Sequence, residues 1–215
     1  MSVEMKDYYA ARAKEYDKIY AKPERQQDLR AIEQWLPSKF AQCEVLEVAA
    51  GTGYWTQFIA PVAKRTVALD ASQETLSIAQ GRPGCAGVDW VVGDAYQMPL
   101  VGQKFDAVFA GFWFSHIPLE KISAYLSDLN RFLKPGARVI FLDNLYVEGN
   151  STPLSDRDVA GNTYQTRPLA DGSTHKVLKN YPTELELSDL VSSFSQQFSY
   201  TTWQYYWAFD YRFEG

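Results

Sequence analysis

The chain has 215 residues, a length that suits one domain with an elaboration better than two full domains. Hydrophobic residues make up 46% of it, enough for a complete core, and the formal net charge is −5. Lysine and arginine are dispersed without a run, which argues against a general nucleic-acid or anionic-membrane binder but leaves room for a local basic patch. No apolar stretch is long enough to predict a membrane span, and the first residues lack the apolar segment of a signal peptide.

The two cysteines, Cys43 and Cys85, have neither the spacing of a metal site nor that of a redox pair. We therefore expect no bound metal, and we expect Cys43, which opens an apolar run, to be a buried free thiol. Such cysteine usage is typical of a reducing compartment, so the sequence predicts a cytoplasmic protein.

Helical and strand-like patterns alternate along the first two thirds of the chain. Helices are predicted over residues 4–20 and between Pro23, as a start, and Pro37, as a stop. Short apolar runs predict buried strands at 44–49, 65–70, 88–94, 104–114 and 137–143. Helical patterns between them include 72–81, capped by Ser72, and 118–136. Five buried strands alternating with helices predict an α/β fold with a parallel, doubly wound sheet.

The pattern changes after residue 144, where a polar, irregular stretch begins. It contains an Asp171–Gly172 hairpin signal between two strand-like pieces. A helix is predicted over 183–194, and the aromatic-rich segment 200–213 could hold two short strands in a tight hairpin.

The stretch CEVLEVAAGTGYWT, residues 43–56, places a glycine turn between a predicted strand and a helix. Such a turn lets a ligand approach the backbone closely and presents free N–H groups. A nucleotide-triphosphate P-loop would need a lysine that is absent here, and a dinucleotide fingerprint would need glycine where Thr56 stands. What remains is an acidic residue, Glu47, followed by Ala49, Gly51 and Gly53 at alternate positions.

This pattern, together with the order of the elements, resembles the class I S-adenosylmethionine (SAM)-dependent methyltransferases over nearly the whole chain. Further motifs that resemble the family are VALDAS at the second strand end, VVGDAYQMPL after the third, FDAVFAGFWFSHIP around the fourth, and LNRFLKPGARVIFLD. The resemblance implies a single Rossmann-like domain with a mostly parallel seven-stranded sheet and an antiparallel last strand. It also implies SAM as the cofactor. We expect lid helices over 1–40, a cofactor-binding core over 41–143, an acceptor-side insertion over 144–182, and a closing helix and strand pair over 183–215.

The resemblance also predicts which residues contact the cofactor, with Asp70 at the ribose hydroxyls and Asp94 at the adenine amino group. The full predicted set is Tyr16, Glu47, Ala49, Gly51, Thr52, Gly53, Asp70, Ala71, Asp94, Ala95, Gly111 and Phe112. Four of these residues also have a purely structural interpretation. Glu47 could clamp the loop, and Asp70 could simply precede a helix cap. Asp94 could be a turn residue, and Tyr16 could do no more than pack on the core. Many family members have glycine in place of Ala49. Because alanine adds a methyl group and requires a negative φ, we expect the turn to sit slightly further from the methionine end.

His116 follows the fourth strand and is the candidate catalytic residue, as a proton acceptor beside the acceptor nucleophile. The alternative is a loop histidine that hydrogen-bonds the backbone. Phe112 and Trp113 are expected around the methyl group. The function predicted is transfer of a methyl group to an N or O atom of a small-molecule acceptor, with no nucleic-acid or membrane partner and no prediction of oligomeric state. Two alternatives stay open, a non-catalytic SAM-binding or regulatory protein and a nicotinamide-dependent oxidoreductase.

Overall fold

A computed structural model of the protein describes residues 12–169 and 172–215. Its main sheet, counted within those residues, has seven strands in the order β3-β2-β1-β4-β5-β10-β9. They are β1 (Glu44–Val48), β2 (Arg65–Asp70), β3 (Asp89–Val92), β4 (Phe105–Gly111), β5 (Leu133–Asn144), β9 (Phe198–Thr202) and β10 (Tyr206–Arg212). Strands β1 to β5 run parallel, whereas β10 is antiparallel to both its neighbours. The predicted doubly wound, Rossmann-like sheet with an antiparallel last strand is confirmed.

Helices cover this sheet on both faces. They are α1 (Gln26–Trp35), α2 (Pro37–Phe40), α3 (Thr56–Ile59), α4 (Gln73–Gln80), α5 (Ile122–Asn130) and α6 (Glu184–Val191). Side chains alternate across the strands, so Leu46 and Val48 of β1 enter one apolar cluster while Val45 enters the other. Ser72 caps α4 as predicted, accepting a hydrogen bond from the backbone N–H of Thr75. None of these helices is long and apolar enough to cross a membrane within the described part of the chain.

The segment after β5 forms a small second sheet of β6 (Asp156–Arg157), β7 (Thr163–Pro168) and β8 (Thr174–Leu178). Strands β7 and β8 pair antiparallel, as the hairpin signal predicted, with Gly172 at a positive φ between them. Asp171 itself lies outside the described residues, as do Tyr8 and Tyr9 of the predicted N-terminal helix.

Two element boundaries differ from the predictions. Residues Ala13–Ala21 form a 3-10 helix instead of the end of an α-helix. Helix α1 ends at Trp35, just before Pro37 as predicted, and Pro37 begins the separate short helix α2, where proline lacks only a donor that has no intrahelical partner. Helix α5 ends at Asn130, and β5 already starts at Leu133 because a register shift against β4 accommodates the Pro-Gly pair inside the strand.

Candidate functional site

A first cavity opens where the carboxyl ends of β1, β2 and β4 and the turn after β3 converge. Ten of the thirteen predicted site residues line it: Tyr16, Ala49, Gly51, Asp70, Ala71, Asp94, Ala95, Gly111, Phe112 and His116. The sequence analysis placed Trp113 near the methyl group but outside this set, and it missed Leu69, Thr75 and Gly93, which complete the wall. Ligands of doubly wound folds bind at this edge of the sheet, because the strand order reverses there.

Asp70 connects the glycine turn to the end of β2. Its Oδ2 accepts a hydrogen bond from the backbone N–H of Gly51 at 2.8 Å. Its Oδ1 accepts from the Ser72 N–H at 2.9 Å and the Thr75 hydroxyl at 3.1 Å. Burial raises the pKa of the Asp70 carboxyl, and these hydrogen bonds act in the opposite direction because they favour the charged form. Asp70 therefore serves both the turn and the helix cap, and it also lines the cavity.

Asp94 lies on a neighbouring wall of the first cavity, in the turn after β3. It is exposed, and its Oδ1 accepts a hydrogen bond from the Tyr96 N–H at 3.0 Å. Asp70 and Asp94 are the two carboxylates of the lining, and none of the lining residues within the described ranges is a lysine or arginine. The first cavity is thus suited to an uncharged or cationic ligand and disfavours a pyrophosphate.

The structure does not place Glu47, Thr52 and Gly53 on the wall of this cavity. Glu47 is 1% exposed, and burial raises the pKa of its carboxyl to about 8, opposed by the neighbouring Thr56 side chain. Its Oε2 has no hydrogen-bond partner among the described residues. A Cβ added at Gly53 would lie 2.8 Å from the Cβ of Ala79, so this glycine lets the turn pack closely on α4.

Thr52 fastens the N-terminal segment to the glycine turn. Its hydroxyl donates to Asp17 Oδ1 at 2.6 Å, and its carbonyl accepts from Arg82 Nε at 2.9 Å. Arg82 also pairs with the other carboxylate oxygen of Asp17. The contacts hold the N-terminal segment against the turn, and Tyr16, the neighbour of Asp17, lies over Gly51.

The backbone conformation of Ala49 differs from the expected one. This residue adopts φ +57°, the left-handed conformation that we expected alanine to avoid, although many family members have glycine there. The strained conformation costs an L-residue about 1–2 kcal/mol, and such costs concentrate at ligand sites. Phe112 is strained in the same way at φ +59°.

A second cavity of about 320 Å³ adjoins the first. Tyr16, Phe112 and His116 line both, so these three side chains form the wall where the cavities meet. The Phe112 ring lies between those of Tyr20 and Tyr206, with centroid separations of 5.8 and 5.6 Å. This packing fixes the ring at the junction.

His116 is buried, with its Nδ1 at 2.5 Å from the carbonyl oxygen of Leu178. A carbonyl can only accept, so Nδ1 carries the hydrogen and Nε2 is the basic nitrogen of the neutral ring. Burial lowers the pKa of His116 to about 3, with Lys179 and Arg167 adding to the effect and Asp143 opposing it. The ring is therefore uncharged at neutral pH.

Behind His116 lies a buried ion pair that sequence reasoning missed. Lys179 Nζ is 2.6 Å from Asp143 Oδ1 and 2.6 Å from the Ser115 hydroxyl. Asp143 also accepts from the backbone N–H of Ser115 at 3.1 Å. Despite burial, the nearby Lys179 and His116 hold the pKa of Asp143 down at about 2. The pair fixes the loop that carries His116 to the end of β8.

Sequence reasoning also missed the cations of the second cavity. They come from two distant segments, residues 12–25 and 165–181, and only the fold brings them together. The signal that could have found them is the change to a polar, irregular sequence after residue 144, since that insertion supplies one side of the cavity.

Known proteins agree with this architecture. A family model described as "Methyltransferase domain" matches residues 45–136. The chain is 33% identical over 99 residues to the ubiquinone/menaquinone biosynthesis C-methyltransferase UbiE of Rubrivivax gelatinosus, covering 46% of this chain and 38% of that protein. It is 33% identical over 101 residues to the malonyl-[acyl-carrier protein] O-methyltransferase of Methylococcus capsulatus, covering 45% and 36%. The chain matches less than half the length of either relative.

Solved structures extend the similarity to the whole chain. DhpI in complex with SAH matches with a TM-score of 0.80 and 27% identity over 97% of this chain and 94% of that one. Residues 45–136 thus match the methyltransferase-domain family, and nearly the whole chain has the fold of a protein solved in complex with SAH. The DhpI–SAM–HEP complex gives a TM-score of 0.79 over 98% of this chain and 99% of that chain.

The first cavity fits SAM, the cofactor that the sequence resemblance implies. A nucleoside with a cationic sulfur requires an apolar wall, which Leu69, Ala71 and Ala95 provide, and tolerates carboxylates. The two carboxylates at neighbouring strand ends and the absence of a lysine or arginine from the described lining suit that charge. The same two carboxylates, without a lysine or arginine in the described lining, are unsuited to the pyrophosphate of a dinucleotide.

Proposed function

We propose that this protein transfers a methyl group from SAM to an N or O atom of a small-molecule acceptor. The observation that supports this most directly is the junction of the two cavities. An acidic cavity suited to the cofactor and a basic, polar cavity share the wall formed by Tyr16, Phe112 and His116. A methyl group handed from one cavity to the other would cross at these three side chains.

In this proposal Asp70 contacts the ribose, Asp94 contacts the adenine amino group, and Ala49 and Gly51 lie along the methionine portion. Tyr16 covers the glycine turn, where the bonds from Thr52 and Arg82 to Asp17 keep the N-terminal segment in place. Ala71, Ala95 and Gly111 contribute surface without side-chain chemistry. Glu47 and Gly53 support the turn from behind, as their positions away from the cavity indicate.

The chain's main contribution to the reaction is orientation. When bound, SAM supplies a methyl group on a positively charged sulfur, and that carbon is electrophilic without further activation. Residues at the junction need only hold the acceptor atom in line and exclude water. The aromatic faces of Phe112 and Trp113 favour a neighbouring positive charge. Any proton on the acceptor atom would have to be taken up by a residue of the chain or by solvent.

His116 is the proposed acceptor of that proton, through Nε2. Its low pKa makes it a weak base in the free protein, so it suits an acceptor whose proton becomes acidic only as the bond forms. The proposal predicts that His116→Ala removes the acidic limb from the pH dependence of kcat. A variant that keeps this limb would leave His116 a structural role only.

The relatives named above act on different acceptors, a quinone pathway compound and a carrier-bound malonyl group, and they are a C-methyltransferase and an O-methyltransferase respectively. The DhpI–SAM–HEP complex holds a third component besides the cofactor. We infer a small, polar acceptor for this chain because the second cavity is lined mainly by polar and charged side chains.

We further propose one domain, with lid elements over 1–40, the cofactor core over 41–143, the acceptor-side insertion over 144–182 and the closing elements over 183–215. Gln165, Arg167 and Lys179 of the insertion line the second cavity, which supports its acceptor-side role. Cys43 and Cys85 are both free thiols, which supports a reducing, cytoplasmic location.

The test is transfer of label from methyl-labelled SAM into a panel of small metabolites, with formation of S-adenosylhomocysteine measured in parallel. The proposal predicts that, for at least one compound, the labelled product and S-adenosylhomocysteine form in equal amounts. Tight SAM binding with no transfer to any compound would favour a regulatory protein of the same fold.

A further inference from the structure

The second cavity carries a surplus of positive charge in a chain whose net charge is −5. Its described lining contains one carboxylate, Glu15, and six cationic side chains: Arg12, Lys18, Lys22, Arg25, Arg167 and Lys179. Two of the cations are balanced, because Lys18 pairs with Glu15 at 3.1 Å and Lys179 pairs with the buried Asp143. Lys22 and Arg25 form no ion pair within the described residues, so their charge is left to solvent ions or to a ligand.

Arg25 is the best-placed of these cations. It is only 8% exposed, and its guanidinium is held by two neutral amides. It donates to Asn144 Oδ1 at 2.8 Å and to Asn150 Oδ1 at 3.2 and 2.6 Å. The Asn150 amide in turn donates to the exposed Glu24 at 2.8 Å, so the nearest carboxylate on this path is one residue removed.

A buried charge is costly unless it is paired, and neutral amides satisfy the guanidinium's donors without balancing its charge. The rings of Tyr205 and Tyr206 lie 5.2 and 5.5 Å from the guanidinium carbon, which fixes its plane. The guanidinium is therefore held rigidly at the cavity wall before any ligand binds. Planar, preoriented guanidinium groups are suited to oxyanions, which accept two parallel hydrogen bonds.

Lys22 is a second cation of this wall. No ion pair to its ammonium occurs within the described ranges. Burial and the nearby Arg25 lower the pKa of Lys22. Two like charges are thus kept close together, an arrangement that a bound anion would relieve.

We propose that the second cavity binds the acceptor through an oxyanion group, either a carboxylate or a phosphoryl group, with Arg25 and Lys22 as the principal contacts. This inference rests on the proposed function, since it names the class of acceptor for the same junction. The two cavities then have complementary charges: a cationic donor lies by the carboxylates of the first, and an anionic acceptor lies by the cations of the second.

The test measures the thermal midpoint of unfolding against ligand concentration, at constant ionic strength, with and without S-adenosylhomocysteine. The probes are inorganic phosphate and propionate, compared with propanol and propylamine as uncharged and cationic analogues of propionate. A ligand that binds only the folded state raises the midpoint. We expect phosphate, propionate or both to bind at least about tenfold more tightly than either analogue, and their ratio identifies the oxyanion class.

The variants are Lys22→Met and Arg25→Met, with Arg131→Met as the matched control because Arg131 is exposed at the end of α5 and outside both cavities. Each of the first two should weaken oxyanion binding about tenfold or more, whereas the control should not. No hydrogen bond or ion pair to the Lys22 ammonium occurs in the part of the chain that the structure describes, so Lys22→Met keeps the test valid if Arg25→Met fails to fold.

Equal binding of all four probes, or oxyanion binding unchanged in Lys22→Met and Arg25→Met, would overturn this inference. In that case normal binding of S-adenosylhomocysteine would leave the proposed function standing. Failure to bind S-adenosylhomocysteine would instead contradict the proposed function, and the titrations without it would still decide whether the second cavity selects oxyanions.

Discussion

The backbone N–H of Gly51 donates to Oδ2 of Asp70 over 2.8 Å, joining the turn after β1 to the end of β2. The same carboxylate anchors the start of α4 through the Ser72 N–H. One side chain therefore determines how two neighbouring strand ends are placed around the first cavity, and it still faces the cavity itself. Asp70 is therefore both a shape-determining and a cavity-facing group.

Replacing this carboxylate gives the first prediction. Asp70→Ala should weaken SAM and S-adenosylhomocysteine binding by roughly 10- to 100-fold, because it removes a charged hydrogen-bond acceptor and releases Gly51. Calorimetric titration measures the change. The control is Asp89→Ala at the start of β3, which removes an exposed carboxylate paired with Arg65. An unchanged dissociation constant for Asp70→Ala would restrict Asp70 to helix capping.

The second prediction concerns the attachment of the N-terminal segment. Asp17→Asn removes the charge that Arg82 pairs with and weakens the bond from Thr52, so Tyr16 should cover the first cavity less completely. We expect about a 3- to 10-fold faster dissociation of SAM with the folded stability little changed. Stopped-flow displacement measures the rate, and Asp189→Asn on the exposed face of α6 is the control. Equal dissociation rates in the two variants would argue that the segment does not cover the cofactor.

The third prediction follows from burial of Glu47, which raises its pKa from 4.5 to about 8. Between these two pKa values the Glu47 carboxyl is protonated in the folded protein and ionised in the unfolded chain. Its contribution to the free energy of unfolding therefore falls as the pH rises from 4.5 to about 8. Urea unfolding measures the free energy of unfolding of Glu47→Gln minus that of wild type. This difference should be about 2–4 kcal/mol larger at about pH 8.5 than at about pH 4.5.

Glu44 of the same strand is the control for Glu47. Lys134 and Lys64 lower the pKa of this partly exposed carboxyl to about 2, so it is ionised across the window where Glu47 titrates. Glu44→Gln should shift stability by nearly the same amount at both pH values. A Glu47→Gln effect equally independent of pH would contradict the assignment of a protonated, buried carboxyl.

A fourth prediction tests the strained turn. Ala49→Gly should keep or raise stability, by up to about 1 kcal/mol, because glycine adopts φ +57° without steric cost. Ala137→Gly in β5 is the matched control and should destabilise, since it removes a buried methyl group at an ordinary strand position. Thermal unfolding of both variants measures the difference. A loss of stability in Ala49→Gly as large as that of the control would mean that the positive φ carries no strain.

His116 provides the fifth prediction. Its folded pKa of about 3 lies below the ordinary 6.5, so it contributes stability above pH 6.5 that is lost as the pH falls toward 3. His116→Gln removes this dependence, and the stability difference between about pH 7.5 and about pH 5 should shrink by about 1–2 kcal/mol. Urea unfolding at the two pH values measures it. Equal acid sensitivity in both proteins would show that the imidazole is already protonated in the folded state.

Most of the fold could be predicted from local sequence signals. The strands β1 to β5 and the capped helix α4 follow from apolar runs, a serine cap and the glycine turn, which are short-range features. The errors lie where tertiary context decides, as at Pro135, which β5 accommodates through a register shift against β4.

The candidate site divides in the same way. Asp70 and Asp94 could be predicted because parallel strands place their carboxyl ends along one edge. Arg25, Asn144 and Lys179 could not, because they lie more than a hundred residues apart at the extremes and no short motif marks them. At Ala49 the residue type predicts the wrong conformation, because alanine prefers a negative φ but the turn imposes a positive one.

The most direct test of the central claim is calorimetric titration of the purified chain with S-adenosylhomocysteine and with NAD in one buffer, with Asp70→Ala measured alongside. The account predicts stoichiometric binding of S-adenosylhomocysteine that Asp70→Ala weakens, and no binding of NAD to the carboxylate-lined cavity. Binding of NAD, or no detectable binding of S-adenosylhomocysteine, would contradict it.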